Sequence, residues 1–286
     1  MAIALRKDFV TNLDELYRQE SLTDDLSTSP ELIKAGTQAN EILIPKMSTS
    51  GLGDYDKATG YPNGTVNLEY ETKKFNYDRG MKFQVDYIDN EETANIAFGK
   101  LLSNFTKEKI VPEGDAFTFA KLASAAGIQK ISAGASLADG ADVISALSTA
   151  TDALDNEEVS DSGRILYILP ALDTAVKNLD TTKSREILGR FEKIVRVPQP
   201  RFYTAIDLLN TSDFGYSKAS SASSINFLIA QKDAVMKHDK HVASDIIEPR
   251  ENQTHDAYAL KYRKYGIVEV LDNKSKGIYL HFQANA

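Results

Sequence analysis

The sequence predicts a mixed α+β protein, and three observations predict it. Between Thr65 and Tyr87 two long stretches alternate apolar and polar residues, the period-two pattern of half-buried strands. A long amphipathic helical pattern starts directly after them, at Asp89. From Ala135 onward, helical patterns alternate with short apolar runs, which reads as an inserted α/β unit.

Residues 2–20 place Ile3, Phe9, Leu13, Leu16 and Tyr17 at helical spacing. This amphipathic helix fits either an arm that docks elsewhere or an ordinary first helix of a domain. Ser21 to Pro30 is a polar break, and Ile33 to Pro45 ends in the extended Ile42-Leu43-Ile44-Pro45. Ser48 to Gly64 is rich in Gly, Ser, Asp, Tyr and Thr and closes on the turn signal Tyr61-Pro62-Asn63-Gly64, so an exposed loop is expected. Val66, Leu68 and Tyr70 then alternate with Asn67, Glu69 and Glu71. After the charged bend at Lys73-Lys74, Met81, Phe83, Val85 and Tyr87 alternate with Lys82, Gln84 and Asp86. Read as a hairpin, this pair is only marginally stable alone. Nothing nearby in sequence supplies a surface for it, so packing on a neighbouring subunit is expected.

Asp89 and Asn90 suit a helix cap, and Glu91-Glu92 suit the positive N-terminal dipole. Ile96, Leu101, Leu102 and Phe105 mark the buried stripe of that helix. Pro112 ends it, kinks it or opens the next helix, and Phe117, Phe119, Leu122 and Ala123 are core candidates before a stop at Gly127. Asp139 caps a helix over 140–155 with Val143, Ile144, Leu147 and Leu154 inward. The run Arg164 to Leu169, apolar from Ile165, reads as a buried strand. Pro170 opens a helix with Leu172, Val176 and Leu179 on one side. Ile194 to Val197 and Ile225 to Ala230 read as strands, and Thr211 to Ser224 as an exposed loop. This middle unit spans about 100–110 residues, an ordinary domain size. Tyr258 to Val270 alternates again, and a turn at Asp272 to Gly277 leads to Ile278 to Phe282.

Composition narrows the function classes. The chain has 286 residues, 42% apolar and 26% charged, enough for real cores. There is no cysteine, which excludes disulfides and thiolate metal sites. The net charge of −8 and the lack of a basic stripe argue against gripping nucleic acid. Met1 to Lys7 is too short and polar for a signal peptide. The longest apolar runs, such as Ile165 to Ala171, fall far below the ~20 residues that span a bilayer. A soluble chain is expected.

No catalytic, cofactor-binding or metal residue stands out. His238 and His241 are three apart, a spacing that puts two imidazoles on one helical face, but no third ligand joins them or His255 and His281. Gly51-Leu52-Gly53 is a fragment of a dinucleotide pattern outside any strand–helix junction, and no nucleophile elbow occurs. The pairs Asp24-Asp25, Glu91-Glu92 and Glu157-Glu158 are sequence neighbours, about 100° apart on a helix, so they do not converge on a substrate. An enzyme is not expected.

Asp78-Arg79-Gly80-Met81-Lys82-Phe83-Gln84-Val85-Asp86, followed by Asp89 to Thr93, resembles a stretch found in tailed-bacteriophage major capsid proteins of the Hong Kong 97-like fold. Val111 to Ala123 resembles the segment after their spine helix. Ile225 to Ala230 with Lys232 and Ala234 resembles a strand-and-helix piece of their axial domain. Tyr262 to His281 resembles their closing strands. The resemblances run in order over about two-thirds of the chain.

The resemblance implies a map: an N-terminal arm at 1–45, an extended β-hairpin loop at 46–88, and a peripheral domain with its spine helix at 89–129. An inserted α/β axial domain follows at 130–245, and peripheral closing strands at 246–286. It implies a structural protein that assembles as pentamers and hexamers into an icosahedral shell around double-stranded DNA, without sequence-specific binding and without a membrane. The expected place is the virion capsid, assembled in the bacterial cytoplasm. With the loop beginning near residue 46, too little chain precedes it for a built-in scaffold, so a separate scaffolding protein and a portal are the expected partners. Some relatives join a loop lysine to an asparagine; Lys57 or Lys73 with Asn273 has no motif behind it and reads as plain surface. The alternative is an encapsulin-like nanocompartment shell packaging enzyme cargo. More distant are a phage tail component and an enzyme with an unrecognised site.

Overall fold

A computed structural model describes residues 21–27, 34–35, 40–88, 101, 103–179, 181–210, 213–252 and 255–284. The helix expected over 2–20, the cap at Asp89 to Thr93, Ile96 and Leu102 lie outside the described residues.

The strands in chain order are β1 (Lys34–Ala35), β2 (Glu41–Thr49), β3 (Val66–Lys74) and β4 (Tyr77–Asp86), followed by helix α1 (Val111–Ser124). Then come β5 (Gln129–Lys130), α2 (Gly140–Asn156), β6 (Arg164–Ile168), α3 (Pro170–Leu179), α4 (Thr182–Leu188) and β7 (Lys193–Arg196). The chain continues through β8 (Ile206–Asn210), β9 (Phe214–Lys218), β10 (Ile225–Gln231), β11 (Val235–Ile247), β12 (Ala257–Val270) and β13 (Ile278–Phe282). They form four sheets: β1-β2-β3, β5-β13-β10-β6-β7, β11-β12-β4 and β8-β9.

The five-stranded sheet carries the main core. β10 runs antiparallel to both β6 and β13, while β6–β7 and β13–β5 are parallel. Ile165, Tyr167, Leu228 and Ala230 pack with Phe119 and Leu122 of α1 and with Leu26. Leu166, Ile168, Phe227 and Ile229 pack with Val143, Leu147 and Leu154 of α2, Val176 of α3 and Ile187 of α4. A sheet covered on both faces needs apolar residues at consecutive positions, and β6 and β10 are buried along their whole length. Asp139 caps α2 by accepting from the backbone N–H groups of Ala141 and Asp142. Leu179, expected inward, is exposed at the end of α3.

Of the three roles open to Pro112, the structure gives that of a helix opener: it stands in the first turn of α1, without interrupting the helical backbone before it. A five-residue π turn at Thr106–Ile110 leads into α1, and Phe105, Ile110 and Val111 all keep right-handed helical angles. Proline has no N–H to give the carbonyl four residues back, and the widened turn lets the helix run past it.

The hairpin read between Thr65 and Tyr87 is corrected. Both strands exist, but they do not pair with each other. β3 pairs with β2, from Glu41↔Lys74 to Thr49↔Val66, and β4 pairs with β12, from Gly266↔Tyr77 to Ala257↔Asp86. The turn at Phe75-Asn76 carries the chain from one sheet to the next: Phe75 N–H bonds to Asn40 O and Asn76 N–H to Gly266 O. Each strand finds a better partner than its sequence neighbour, one just upstream and one almost two hundred residues on.

Three further differences follow from pairing. β13, read with the closing strands, is an inner strand of the five-stranded sheet between β5 and β10. Residues 235–247, whose histidine spacing fits a helix, form the long strand β11 with a bulge between Asp239 and His241. Part of the loop expected at Thr211 to Ser224 is the strand β9, paired with β8.

Candidate functional site

In an antiparallel pair directly opposed residues share a face. On one face of the β2–β3 hairpin, Met47 opposes Leu68 and Thr49 opposes Val66, with Tyr70 next along the strand. These side chains are 66% (Met47), 55% (Leu68), 70% (Val66) and 47% (Tyr70) exposed. The opposite face changes character along its length. At the root, Ile42 is buried with Met236 and Ile267, and Ile44 packs beside Phe75 and Leu271. Further out it turns polar, with Lys46 opposite Glu69 and Ser48 opposite Asn67. One face holds the hairpin to its own subunit at the root. The other presents an apolar stripe to solvent.

The tip is built from its own hydrogen bonds. Ser50 N–H bonds to Thr65 O at 3.0 Å and Thr65 N–H to Ser50 Oγ at 3.0 Å, closing the loop at its base. Asp56 and Gly60 exchange backbone bonds of 3.3 and 2.7 Å, and Gly60 takes φ +82°, the left-handed conformation that glycine adopts freely. Leu52, Tyr55 and Tyr61 are exposed there, with the two tyrosine rings 4.9 Å apart.

β4 begins with the Asp78-Arg79-Gly80 stretch that carries the sequence resemblance, and each residue has a distinct contact. Arg263 of β12 donates to both carboxylate oxygens of Asp78, at 2.9 and 2.7 Å, across the strand pair. That guanidinium hydrogen bond holds the Asp78 carboxyl below its usual range. Arg79 donates to Glu113 on α1 at 2.8 and 3.3 Å and to Leu209 O and Gly215 O at 3.1 Å each, and it also donates to Asn210. It joins β4, α1 and the β8–β9 hairpin. Gly80 lies so close to β12 that an added Cβ would stand 2.8 Å from Tyr262 O.

Lys73 is the loop lysine with a defined setting. Its ammonium pairs with Glu71 at 2.6 Å and Asp272 at 3.2 Å, beside Asn273. Burial works to lower its pKa, but the hydrogen bonds to Glu71 and Asp272 outweigh this and hold it above the ordinary lysine value. A protonated ammonium is no nucleophile. Of the carboxylate pairs, Asp25 meets Lys193 and Glu157 meets Lys276 in ordinary ion pairs, while Glu91-Glu92 lies outside the described residues. Among the described residues no group of three or more His, Asp or Glu side chains is placed to hold a metal ion. None of the described helices is long and apolar enough to cross a membrane.

Sequence reasoning found the exposed loop and the alternating strand Val66–Tyr70. It missed that Met47 and Thr49 share the stripe: Ile42-Leu43-Ile44 is continuously apolar, and only Lys46-Met47-Ser48 alternates after Pro45.

No protein-family model and no curated protein matches the sequence. Solved structures do match over most of the chain. The mature capsid of bacteriophage PhiM1 contains a chain 14% identical, with a TM-score of 0.60 over 87% of this chain and 84% of that one. The capsid of the cyanophage P-SCSP1u contains one 12% identical, with a TM-score of 0.57 over 88% and 86%. The virus-like particle from Pyrococcus furiosus contains one 11% identical, with a TM-score of 0.53 over 93% and 98%. At these identities the likeness is one of fold: the chain has the mixed α+β architecture of Hong Kong 97-like capsid proteins.

Proposed function

We propose that this chain is a shell subunit of the tailed-phage type, a structural protein that assembles as pentamers and hexamers around packaged double-stranded DNA. The observation that carries this reading is the apolar stripe of Met47, Val66 and Leu68 on a hairpin whose root packs into its own subunit. Exposed contiguous apolar surface rimmed by polar residues marks an interaction site. Each such side chain contributes about 1.5–3 kcal/mol when fully buried, and a closed shell repeats the contact in every subunit. The fold likeness supplies the kind of assembly in which it is used.

On this reading residues 1–45 are an N-terminal arm, 46–88 contain the extended loop, 89–129 are the spine segment of a peripheral domain, 130–245 are an axial domain, and 246–286 return to the periphery. The pairing of β2 with β3 favours moving the root of the loop back to Glu41 and its return to Lys74. A net charge of −8 suits a container that does not grip its DNA. A separate scaffolding protein and a portal are the partners proposed for assembly, and the virion capsid is the proposed location.

A second reading, an encapsulin-like shell around protein cargo, is favoured by the match to the Pyrococcus furiosus particle, which spans nearly all of both chains. Negative-stain microscopy of the expressed protein, with and without neighbouring gene products, tests both. Uniform spherical particles tens of nanometres across are expected. Protein cargo in place of nucleic acid selects the second reading, and a small fixed oligomer under every condition rejects both.

A further inference from the structure

β10 carries one residue more than β13 can match. Ile225 opposes Phe282 and Phe227 opposes His281, so Asn226 is the extra residue of a β-bulge. A bulge re-aims the side chain that it carries. Asn226 is buried, and its Nδ2 stands 2.9 Å from Ala135 O and 3.0 Å from His281 Nδ1. A carbonyl oxygen only accepts, so the nitrogen end of the amide faces Ala135. The same nitrogen gives its second hydrogen to His281 Nδ1, which is therefore the unprotonated, accepting atom of the ring. The neutral ring carries its proton on Nε2.

Ala135 belongs to the segment that leads from β5 to the start of α2, and that segment lies beside β13. Ile131 N–H bonds to Leu280 O at 3.3 Å and Ala135 N–H to Phe282 O at 3.0 Å. Ser132, Ala133, Ala135, Ser136 and Ala138 are exposed. The Asn226 amide thus ties a buried ring to an exposed segment. The ring stacks on Phe227 of β10, with centroids 4.8 Å apart. On β13 Tyr279 shares its face, a phenol that burial holds above its usual value. The residues that α2 packs beside Phe227 and Tyr279, namely Val143, Ile144 and Leu147, are apolar. Lys130 of β5 and Asp139 and Asp142 at the start of α2 are exposed. Burial is the influence that displaces the ring's pKa, lowering it to about 4.

A proton taken up from solvent goes to Nδ1, because Nε2 already holds one. Nδ1 then changes from acceptor to donor and confronts the N–H of Asn226. The amide resolves this by turning over, so that Oδ1 accepts from Nδ1. The turn sets Oδ1 against Ala135 O, two acceptors where a hydrogen bond of 2.9 Å had been. We propose that His281, Asn226 and the Ala135 carbonyl form a proton-operated clasp, and that protonation of His281 at Nδ1 releases residues 132–138 from β10 and β13. Ala135 O turns to water, and the bond from Ala135 N–H to Phe282 O loosens with it. Ile131, held further back by Leu280 O, stays in place. The clasp follows from the fold and holds whether or not the chain builds shells.

Amide hydrogen exchange read by NMR on the full chain, as the unassembled subunit, tests this between pH ~7 and pH ~4. Rates are compared with the intrinsic rate at each pH. Protection at Ala135 is expected to fall about tenfold on acidification, the scale of one lost hydrogen bond, with Ile131 unchanged. Asp142 needs a control, because its Oδ2 accepts the Ala138 N–H and carboxylates also titrate in acid. Asp142→Asn is expected to keep the response at Ala135. His281→Gln is expected to abolish it, since a Gln amide oxygen accepts from Asn226 at every pH. Asn226→Ala is expected to show the low protection already at neutral pH. The parent protein carries the test even where a variant does not fold: protonation of His281 Nδ1, read from its nitrogen chemical shift, and the loss at Ala135 are expected to share one midpoint. Separate midpoints would overturn the proposal, and so would a response that survives in His281→Gln or vanishes in Asp142→Asn. An equal fall at Leu228 and Ile229 in the core of the sheet would mean general acid unfolding and would overturn it as well.

Discussion

Removing the Arg79 guanidinium leaves Glu113 with the Tyr77 hydroxyl and takes the donor from Asn210, Leu209 O and Gly215 O. Hydrogen bonds to charged groups contribute about 1.5–3 kcal/mol each, and the rest of the fold relaxes around the loss. Arg79→Ala is expected to lower unfolding stability by about 2–3 kcal/mol in urea titration. Arg79→Lys should recover little, because an ammonium lacks the planar fork that serves several acceptors at once. His281 gives a prediction in pH. Its ring is buried against Phe227, and Asn226 Nδ2, which also donates to Ala135 O, approaches its Nδ1 at 3.0 Å. Burial lowers its pKa to about 4. In the unfolded chain the value returns to roughly 6.5, so the unfolded state binds the extra proton between these limits. The His281 contribution is therefore complete above pH ~6.5 and is lost as pH falls toward 4. His281→Gln should show a smaller fall in urea midpoint between pH 7 and 4.5 than the parent protein does.

The β2–β3 hairpin separates folding from assembly along a single element. Its root is core: Ile42 is 3% exposed among Met236 and Ile267, and Ile42→Ala is expected to cost about 2–4 kcal/mol of subunit stability. Its outer face is not. Met47→Lys with Leu68→Lys should leave the melting temperature of the isolated subunit within a few degrees, because surface positions rarely move stability by more than ~0.5 kcal/mol. The same pair should abolish particles, since two buried ammonium groups per contact exceed what the contact gains. Particle yield by sedimentation beside thermal melting reads the two effects separately. The helical stretches on either side of Pro112 were legible, with Leu101 and Phe105 in the first and Phe119 and Leu122 in the second, while their spacing left open whether Pro112 ends, kinks or opens a helix. The π turn that lets it continue was not legible, because it depends on how the backbone absorbs one missing donor.

Across the whole molecule, the chain crosses between sheets at places where no composition change marks the crossing. β3 and β4 are two residues apart and lie in different sheets; β10 and β11 are separated only by the short turn Lys232–Ala234 and do the same. β12 is the organising strand of the long sheet, holding β4 on one side and β11 on the other. The tip loop stands outside this framework. Its ends already meet at Ser50 and Thr65, so replacing Gly51 to Gly64 by an Asn-Gly turn should leave the subunit folded with an unchanged near-UV spectrum. Shells should fail or become irregular under the microscope. A subunit unfolded by this change would mean that the tip is part of the core rather than an arm.

Local pattern decided most element identities. Alternation at Val66–Tyr70, Met81–Val85 and Tyr258–Val270, the continuous apolar runs of β6 and β10, and the Asp139 cap are properties of neighbouring residues, and period and capping chemistry read them directly. They also carried the exposed loop at Ser48 to Gly64. The partner of each strand was decided only in three dimensions. The outward face of β3 is apolar whether it pairs with β2 or β4, and β11 alternates too weakly around its bulge to declare itself before β12 lies beside it. Pairing is a competition among distant segments for the same row of backbone donors and acceptors. Residues 257–270 won β4 because their length and register match it, a comparison that no local window contains.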